Sequence, residues 1–365
     1  MLNLRGLTLE ELKKLFTSIG EPAYRGEQVF HWLTARNATS FEEMTDLPKT
    51  LRKKLKETFS IQLPEVLEKR EDSEGTTKFA LLLEDGEVIE TVIIPERDHY
   101  TLCVSTQVGC SLGCKFCLTA RMGFKRNLKT EEIISQVVIA RRYLKEKQAK
   151  LPLRNVVFMG MGEPLLNLEN LIKSLKIFAH PKGFNFSRKR LTVSTVGIIE
   201  KLQILAKEFP TALAVSLHAP TDEIRKKIMP IAKRYSVKEL IEACKKFPRI
   251  KNGRTTIEYV LLKDINDDLK SAEKLAELLK DFPFKVNLIP FNPHPELPFE
   301  RPSQKRVEEF QKFLLSRRIL TTIRKSKGIN IRAGCGQLRA EIQRHSSLPD
   351  TSNSSPTPRT NSLVF

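Results

Sequence analysis

Three cysteines fall within eight residues of a chain that holds six cysteines in all. Cys110, Cys114 and Cys117 have the spacing Cys-x3-Cys-x2-Cys. Thiolates are soft ligands, so a run this close-set suits one metal centre. A structural zinc ion normally takes four protein ligands, whereas iron–sulfur clusters are held by close-set cysteine runs. Three thiols therefore favour a 4Fe-4S cluster with one iron left open for another ligand.

The remaining cysteines differ in their surroundings. Cys335 lies between two glycines, in a segment with neither helical nor strand periodicity. A cysteine on such a loop can enter a pocket and react as a thiolate, which the nearby Lys327 and Arg332 would favour. Cys103, seven residues before the cluster run, is either a core residue or a partner thiol. Cys244 has helical apolar neighbours, which predicts a packing role.

A carboxylate interrupts an apolar strand. Residues 78–83 and 88–94 predict a β-hairpin around Asp85-Gly86, and Glu90 lies on the same face of the second strand as Val88 and Val92. Burial there would raise its pKa toward the range of a general base. The alternative is an outward-facing position on an edge strand.

Strands and helices alternate over residues 101–340, which predicts a parallel sheet with helical crossovers. The predicted strands are Thr101–Ser105, Asn155–Met159, Arg190–Ser194, Ala212–Leu217, Thr256–Leu262 and Lys285–Ile289. The predicted helices are Glu131–Lys147, Leu168–Ala179, Ile199–Lys207, a pair within Asp222–Phe247, Leu269–Lys280 and Gln304–Ser316. In a barrel-like arrangement, functional groups collect at the C-terminal ends of the strands.

Small or polar residues follow four of these strands, as a polar ligand requires for its orientation. A plain turn is the alternative for the glycines, and a structural role is the alternative for the histidine. The candidate ligand-binding residues are Gly162, Glu163, Ser194, Ser216, Leu217, His218 and Asn292.

Composition changes along the chain and predicts four segments. Residues 1–75 predict a helical accessory domain, for which the resemblance described below implies RNA binding, and residues 76–100 predict a β-hairpin extension. Residues 101–345 predict the catalytic core. Residues 346–365 are rich in Ser, Thr, Pro and Asn, which predicts a disordered tail.

The chain is strongly basic, with 62 Lys and Arg against 43 Asp and Glu and a net charge of +19. This surplus favours a polyanionic partner, most simply nucleic acid, over a generically basic surface. No long uncharged apolar run and no signal-peptide pattern are present, so we expect no membrane association and a cytoplasmic location.

Together these stretches resemble the radical S-adenosylmethionine (SAM) RNA adenine-C2 methyltransferases. The resemblance covers about residues 20–340. The residues that carry it are Tyr24–Trp32, Phe41–Thr45, Gly109–Phe124, Gly160–Leu165, Ser216–Ala219, Asn287–Pro293 and Cys335–Leu338.

The resemblance implies an α/β fold: a radical SAM partial (β/α)6 barrel with a small N-terminal helical domain and a connecting β-hairpin. It implies one 4Fe-4S cluster on Cys110, Cys114 and Cys117, and two SAM molecules per turnover. By the same resemblance, Cys335 becomes an S-methylcysteine intermediate, Glu90 accepts the C2 proton, and Cys103 resolves the RNA adduct through a transient disulfide with Cys335. The ligand-binding set named above matches the SAM-binding positions of that family.

The implied partners are 23S ribosomal RNA, transfer RNA and a reductase or flavodoxin-type electron donor, for a monomeric enzyme. The alternatives are a relative that methylates adenosine C8, a zinc RNA-binding module, and a radical enzyme for a small metabolite. Where that family usually has acidic residues before the methylated cysteine, this chain has Asn330 and Arg332, and Gly334 replaces a common alanine. The loop that carries Cys335 is therefore expected to be more basic and more mobile.

Overall fold

The computed structural model describes residues 1–339, apart from the side chain of Asn252. The predicted tail, residues 346–365, lies outside this range. The N-terminal module comprises β1 (Leu2–Asn3), α1 (Leu9–Ser18), α2 (Ala23–Thr34), α3 (Lys49–Thr58) and β2 (Phe59–Ser60).

A buried arginine joins the parts of this module. Arg5 donates from Nε to the carbonyl of Ile61 at 2.9 Å and from Nη1 to that of Leu33 at 3.3 Å. Burial lowers its pKa to about 10. A capping box closes the start of α1, with Thr8 Oγ1 accepting from the Glu11 amide at 3.2 Å.

An antiparallel extension of three strands follows: β3 (Glu65–Glu71), β4 (Thr77–Leu82) and β5 (Val88–Pro95). The predicted hairpin is β4–β5, and β3 is a strand where the sequence predicted none. Strand β5 lies between β4 and the first core strand, so it is not an edge strand. Glu90 is only 3% exposed; the outward-facing alternative for it is wrong.

The remaining strands belong to the core or to a small ribbon beside it. They are β6 (Tyr100–Cys103), β7 (Gln107–Gly109), β8 (Phe124–Asn127), β9 (Leu153–Phe158), β10 (Leu191–Thr195), β11 (Ala212–Ser216), β12 (Thr256–Leu261), β13 (Lys285–Pro290) and β14 (Leu320–Ile323). The helices are α4 (Leu118–Arg121), α5 (Thr130–Glu146), α6 (Leu168–Ala179), α7 (Ile199–Glu208), α8 (Asp222–Ile228), α9 (Val237–Lys246), α10 (Leu269–Leu279) and α11 (Gln304–Ser316). Short 3-10 turns occupy Leu4–Gly6, Phe41–Glu43, Pro164–Asn167, Arg188–Arg190, Pro230–Lys233, Ile250–Asn252 and Ile329–Ile331.

The large sheet has the order β14-β13-β12-β11-β10-β9-β6-β5-β4-β3. The strands from β14 to β6 are parallel, so the core has one more parallel strand than the six predicted. Its inner strands are nearly continuous apolar runs, as parallel strands covered on both faces require; Val193, Val215, Ile257 and Val286 are fully buried. The predicted radical SAM partial barrel is confirmed, with β14 added.

The chain after β14 crosses from that end of the sheet to the extension at the other end. Arg324 Nη1 lies 3.8 Å from Met159 Sδ, at the end of β9. Lys327 donates to the Pro95 carbonyl, and the Gly328 amide donates to Asp72 Oδ2 at 3.0 Å. This crossing brings the segment that carries Cys335 over the C-terminal ends of the strands. No helix within residues 1–339 has the length and apolar content needed to cross a bilayer.

Candidate active site

The loop of three cysteines begins at the end of β7, inside the two-stranded β7–β8 ribbon. The Cys110 amide donates to the Gly123 carbonyl at 2.9 Å, and the Cys117 amide donates to the Cys114 carbonyl at 3.2 Å. Gly109 has φ +71°, and a Cβ there would lie 1.7 Å from the Gly123 oxygen. Only glycine fits at this position, so the start of the loop is fixed by the ribbon.

All three thiols line one cavity. Burial raises the pKa of Cys110 to about 11 and raises the pKa of Cys114 and of Cys117. Within residues 1–339, no three His, Cys, Asp or Glu side chains are arranged to hold a single metal ion. The three thiols face one space, and a close-set group of three cysteines suits an iron–sulfur cluster.

The cavity has a volume of about 170 Å³ and lies at the C-terminal ends of the parallel strands. It brings together six of the seven predicted ligand-binding residues: Gly162, Glu163, Ser194, Ser216, His218 and Asn292. Leu217 is the exception. Its side chain is fully buried outside the cavity lining, and its carbonyl accepts from Arg225.

Glu163 joins the ends of β9 and β10. Its Oε1 accepts from the Leu165 amide and its Oε2 from the Val196 amide, both at 3.0 Å. Burial raises the pKa of this carboxyl, although these amides stabilise the charged form. A carboxylate oxygen has two acceptor sites, so Glu163 retains capacity for an ammonium group in the cavity.

His218 is a neutral donor. Its Nδ1 accepts from the Val260 amide at 3.0 Å, which assigns the proton to Nε2. Burial lowers the pKa of the imidazole to about 3. The ring makes an edge contact with Phe116 of the cysteine loop, 4.9 Å between centroids. His218 thus connects the ligand-binding strand ends to the cluster loop.

Two buried polar atoms beside this cavity have no hydrogen-bond partner within the described chain: Asn292 Oδ1 and Arg225 Nη1. Arg225 donates from Nε to the Leu217 carbonyl at 3.1 Å and from Nη2 to that of Val196 at 2.8 Å. Burial lowers its pKa to about 10, an effect that the nearby Cys114 opposes. An unpaired amide oxygen, a neutral imidazole donor and three thiols together fit a polar ligand beside an iron–sulfur cluster.

The two predicted reactive cysteines are neighbours, although only Cys335 lines this cavity. Cys335 is part of its lining, and Cys103 is buried on β6. Burial and the neighbouring Cys335 sulfur raise the pKa of the Cys103 thiol to about 12. The loop of Cys335 is held against the cysteine loop, because the Leu118 amide donates to the Gly336 carbonyl at 2.8 Å and Thr119 Oγ1 to that of Leu338 at 2.7 Å.

One cation that interacts with Cys335 was not predicted. Arg324 lines the cavity, and the Cys335 sulfur is the largest cause of its raised pKa. Of the cations expected to favour the thiolate, Lys327 bonds to the extension instead, and the Arg332 carbonyl accepts from Lys78. A second unpredicted residue of the lining is Glu258, which is buried and accepts from Asn287 at 2.8 Å. Arg324 directly follows β14, whereas Glu258 lies within β12, where a carboxylate in an otherwise apolar strand is the signal that sequence offered.

Glu90 lies in a separate, smaller cavity of about 20 Å³. Its Oε1 is 2.7 Å from Lys78 Nζ, and its Oε2 accepts from the Arg339 amide at 2.8 Å. Burial raises the pKa of Glu90, and Lys78 opposes this rise. The loop of Cys335 borders both cavities, with Gly336 on the side of the cysteines and Gln337 on the side of Glu90.

Comparison with family models gives two matches. Residues 104–279 match the radical SAM superfamily. Residues 2–61 match the N-terminal domain of the ribosomal RNA large subunit methyltransferase. The two matches correspond to the parallel core and to the helical module.

Two curated relatives are similar over nearly the whole chain. The "dual-specificity RNA methyltransferase RlmN" of Solidesulfovibrio magneticus is 48% identical over 93% of this chain and 97% of its own length. The protein of the same name from Geobacter sulfurreducens is 46% identical over 94% and 93%. A solved radical SAM methyltransferase from Sphaerobacter thermophilus is 43% identical, with a TM-score of 0.89 over 93% of this chain and 100% of its own.

Proposed function

The chain belongs to the radical SAM family of dual-specificity RNA methyltransferases, and we propose that it methylates C2 of a specific adenosine in 23S ribosomal RNA and in transfer RNA. Relatives at 46–48% identity that carry the dual-specificity name support this activity over C8 methylation. The match of residues 2–61 to a ribosomal RNA methyltransferase domain supports it as well.

The observation that carries the proposal is the meeting of two distant thiols beside the cysteine loop. Cys103 and Cys335 are separated by more than half of the chain, yet the Cys335 sulfur is near enough to contribute to the raised pKa of the Cys103 thiol. A zinc RNA-binding module needs no such pair. A methyl transfer through a protein sulfur needs one thiol to carry the carbon and another to free the product.

In this proposal, Cys110, Cys114 and Cys117 hold the 4Fe-4S cluster, and the strand-end residues hold SAM. When bound, the two supply the methyl group and the one-electron chemistry that activates an unreactive C–H bond. Glu163 accepts from the ammonium group of SAM, His218 donates from Nε2, and Asn292 offers its unpaired oxygen. Gly162, Ser194 and Ser216 complete the lining, and Leu217 contributes through its position in the strand end.

In the same proposal, Cys335 and Cys103 have different roles. Cys335 lines the SAM cavity, so its sulfur receives the methyl carbon and presents it to the adenine ring. Glu90 accepts the C2 proton, and its raised pKa suits a base that works near neutral pH. The Cys103 thiolate attacks the Cys335 sulfur, so that an S–S bond forms as the bond between Cys335 and the product carbon breaks. The electron pair of the broken bond stays on the product carbon, which takes up a proton to complete the methyl group and frees the RNA.

Other parts of the proposal concern partners and location. The net charge of +19 supports RNA as the macromolecular substrate. We propose a flavodoxin-type reductase as electron donor, because the cluster requires an external one-electron reductant. A monomer in the cytoplasm, with the helical module as an RNA-binding domain, completes the proposal.

Mass spectrometry of nucleosides tests the function directly. RNA from cells that lack 2-methyladenosine is incubated with the anaerobically reconstituted enzyme, SAM and a chemical reductant. We expect 2-methyladenosine in both 23S ribosomal RNA and transfer RNA. Formation of 8-methyladenosine, or of no methylated adenosine, would contradict the proposal.

A further inference from the structure

Both ends of the loop that carries Cys335 are held by one buried ion pair. Before the cysteine, the Arg332 carbonyl accepts from Lys78 Nζ at 3.3 Å. After it, the Arg339 amide donates to Glu90 Oε2 at 2.8 Å. Lys78 Nζ and Glu90 Oε1 are themselves 2.7 Å apart. The pair therefore closes a bridge across residues 332–339.

The surroundings of the Lys78–Glu90 ion pair favour a strong interaction. The side chains of Lys78 and Glu90 are only 7% and 5% exposed, and they project from neighbouring strands on the same face of the extension. Hydrogen bonds to ionised groups in such surroundings are stronger than neutral ones. The other charged or titratable side chains of this cavity are Glu68, Arg70, His294, Arg332 and Arg339.

We propose that Lys78 and Glu90 form a latch that positions the Cys335 loop, and that proton uptake by Glu90 releases it. The inference deepens the proposed function, because it rests on Glu90 as the acceptor of the C2 proton. Lys78 is then a positioning residue. It holds the base and the loop that carries the reacting sulfur in one arrangement.

Proton uptake changes each contact of this latch. The ionised carboxylate accepts from Lys78 through one oxygen and from the Arg339 amide through the other. A protonated carboxyl group keeps a single good acceptor oxygen and loses its charge. The loop is then free to shift, and Cys335 moves from the SAM cavity toward Cys103 only after the proton has left C2. The latch thereby orders the two steps.

Hydrogen exchange of the loop tests this without any turnover. Glu90→Gln keeps the volume of the side chain but offers one acceptor oxygen, as the protonated acid does. In the reconstituted enzyme without RNA, we expect exchange of residues 332–339 to rise at least about tenfold in Glu90→Gln and in Lys78→Met. Lys78→Arg keeps both donations, so protection is expected to return. Glu68→Gln alters a carboxylate of the same cavity that does not hold the loop, and serves as the matched control.

Unchanged protection of residues 332–339 in Glu90→Gln would overturn the latch. So would an increase that extends equally to strands β10–β13, because the latch is local. Nucleoside analysis of the same variants judges the proposed function separately. If Glu90→Gln loses methylation but keeps the protection of the loop, the role of Glu90 as the base stands and the latch is excluded.

Discussion

Cys103 and Cys335 differ in their surroundings, and the difference supports their different roles. Cys335 lines the large cavity, where a ligand reaches it. Cys103 lies in the core of the sheet with a pKa of about 12, so it is a neutral thiol near pH 7. A thiol in that state does not compete for the methyl group. It becomes a nucleophile only when it is deprotonated beside Arg324.

Replacing each thiol by alanine should stop the reaction at a different point. Cys335→Ala is expected to abolish methylation, because no sulfur is left to carry the carbon. Cys103→Ala is expected to trap a covalent RNA–protein adduct, seen as a slow band on a denaturing gel. Cys244→Ala is the control, since that buried thiol packs on α9 away from the cavity lining. A Cys103→Ala enzyme that turns over without an adduct would contradict the role of Cys103.

The cation beside these thiols should control adduct resolution. Arg324 lowers the pKa of Cys103, so its loss raises that pKa and reduces the thiolate fraction at a given pH. We expect Arg324→Met to slow decay of the adduct about tenfold near pH 7. The decay rate should recover as pH rises, and the adduct of Arg324→Lys should decay faster than that of Arg324→Met. Single-turnover gels measure formation and decay separately. An equal loss in both would indicate a structural role instead.

The three-cysteine loop predicts a definite metal content. We expect anaerobically reconstituted protein to be brown and to hold about four irons per chain. Changing Cys110, Cys114 and Cys117 to alanine should remove both colour and iron, whereas Cys244→Ala should not. Metal analysis and the visible spectrum measure this. A colourless protein with one zinc per chain would favour the RNA-binding module instead.

At the level of helices and strands, the elements that the sequence predicted are those marked by a local pattern of residues. The helices of the core and the β4–β5 hairpin follow from periodicity and turn residues. Six of the seven candidate ligand-binding residues lie at one cavity because parallel strands end at one edge of the sheet. Strand β3 was missed, since Glu65–Glu71 is polar and exposed and is paired only by β4. Strand β14 was missed because it lies in a basic run.

Long-range contacts escaped sequence reasoning for a physical reason. In the sequence, nothing distinguishes Arg225 and Arg324 from other arginines, because their roles depend on strands that only the fold brings around them. Arg225 is fully buried and donates to carbonyls at the ends of β10 and β11. The short charged helix α8, which carries Arg225, shows no local pattern that indicates such a contact.

Arg225 should therefore stabilise the ligand-binding strand ends. Its replacement by methionine leaves the carbonyls of Val196, Ser216 and Leu217 without this donor. We expect the free energy of unfolding to fall by about 2–4 kcal/mol, given about 1–3 kcal/mol per unsatisfied buried group and partial relaxation. Urea denaturation measures it, with Arg234→Met, an exposed arginine, as control. A loss within about 0.5 kcal/mol would contradict this role.

At the scale of the whole molecule, the helical module is fixed to the core by contacts on several sides. Glu11 pairs with Lys173 at 2.8 Å, and Arg142 donates to the Asn37 carbonyl at 3.3 Å. Its helix α3 carries exposed lysines at Lys49 and Lys53. We expect the module and the core to bind RNA as one surface, because the module cannot turn freely.

The salt dependence of RNA binding tests this arrangement. Each phosphate contact contributes about 0.9 to the slope of log K against log salt for duplex, or about 0.7 for single strands. Lys49→Gln with Lys53→Gln should therefore reduce that slope by about 1.4–1.8 and weaken all RNA sequences alike. The matched control is Lys270→Gln with Lys274→Gln, exposed on α10, which packs beside α9 and α11. Both pairs of substitutions lower the net charge by two, so a nonspecific charge effect predicts equal changes in the slope. Equal changes would exclude α3 from the RNA surface.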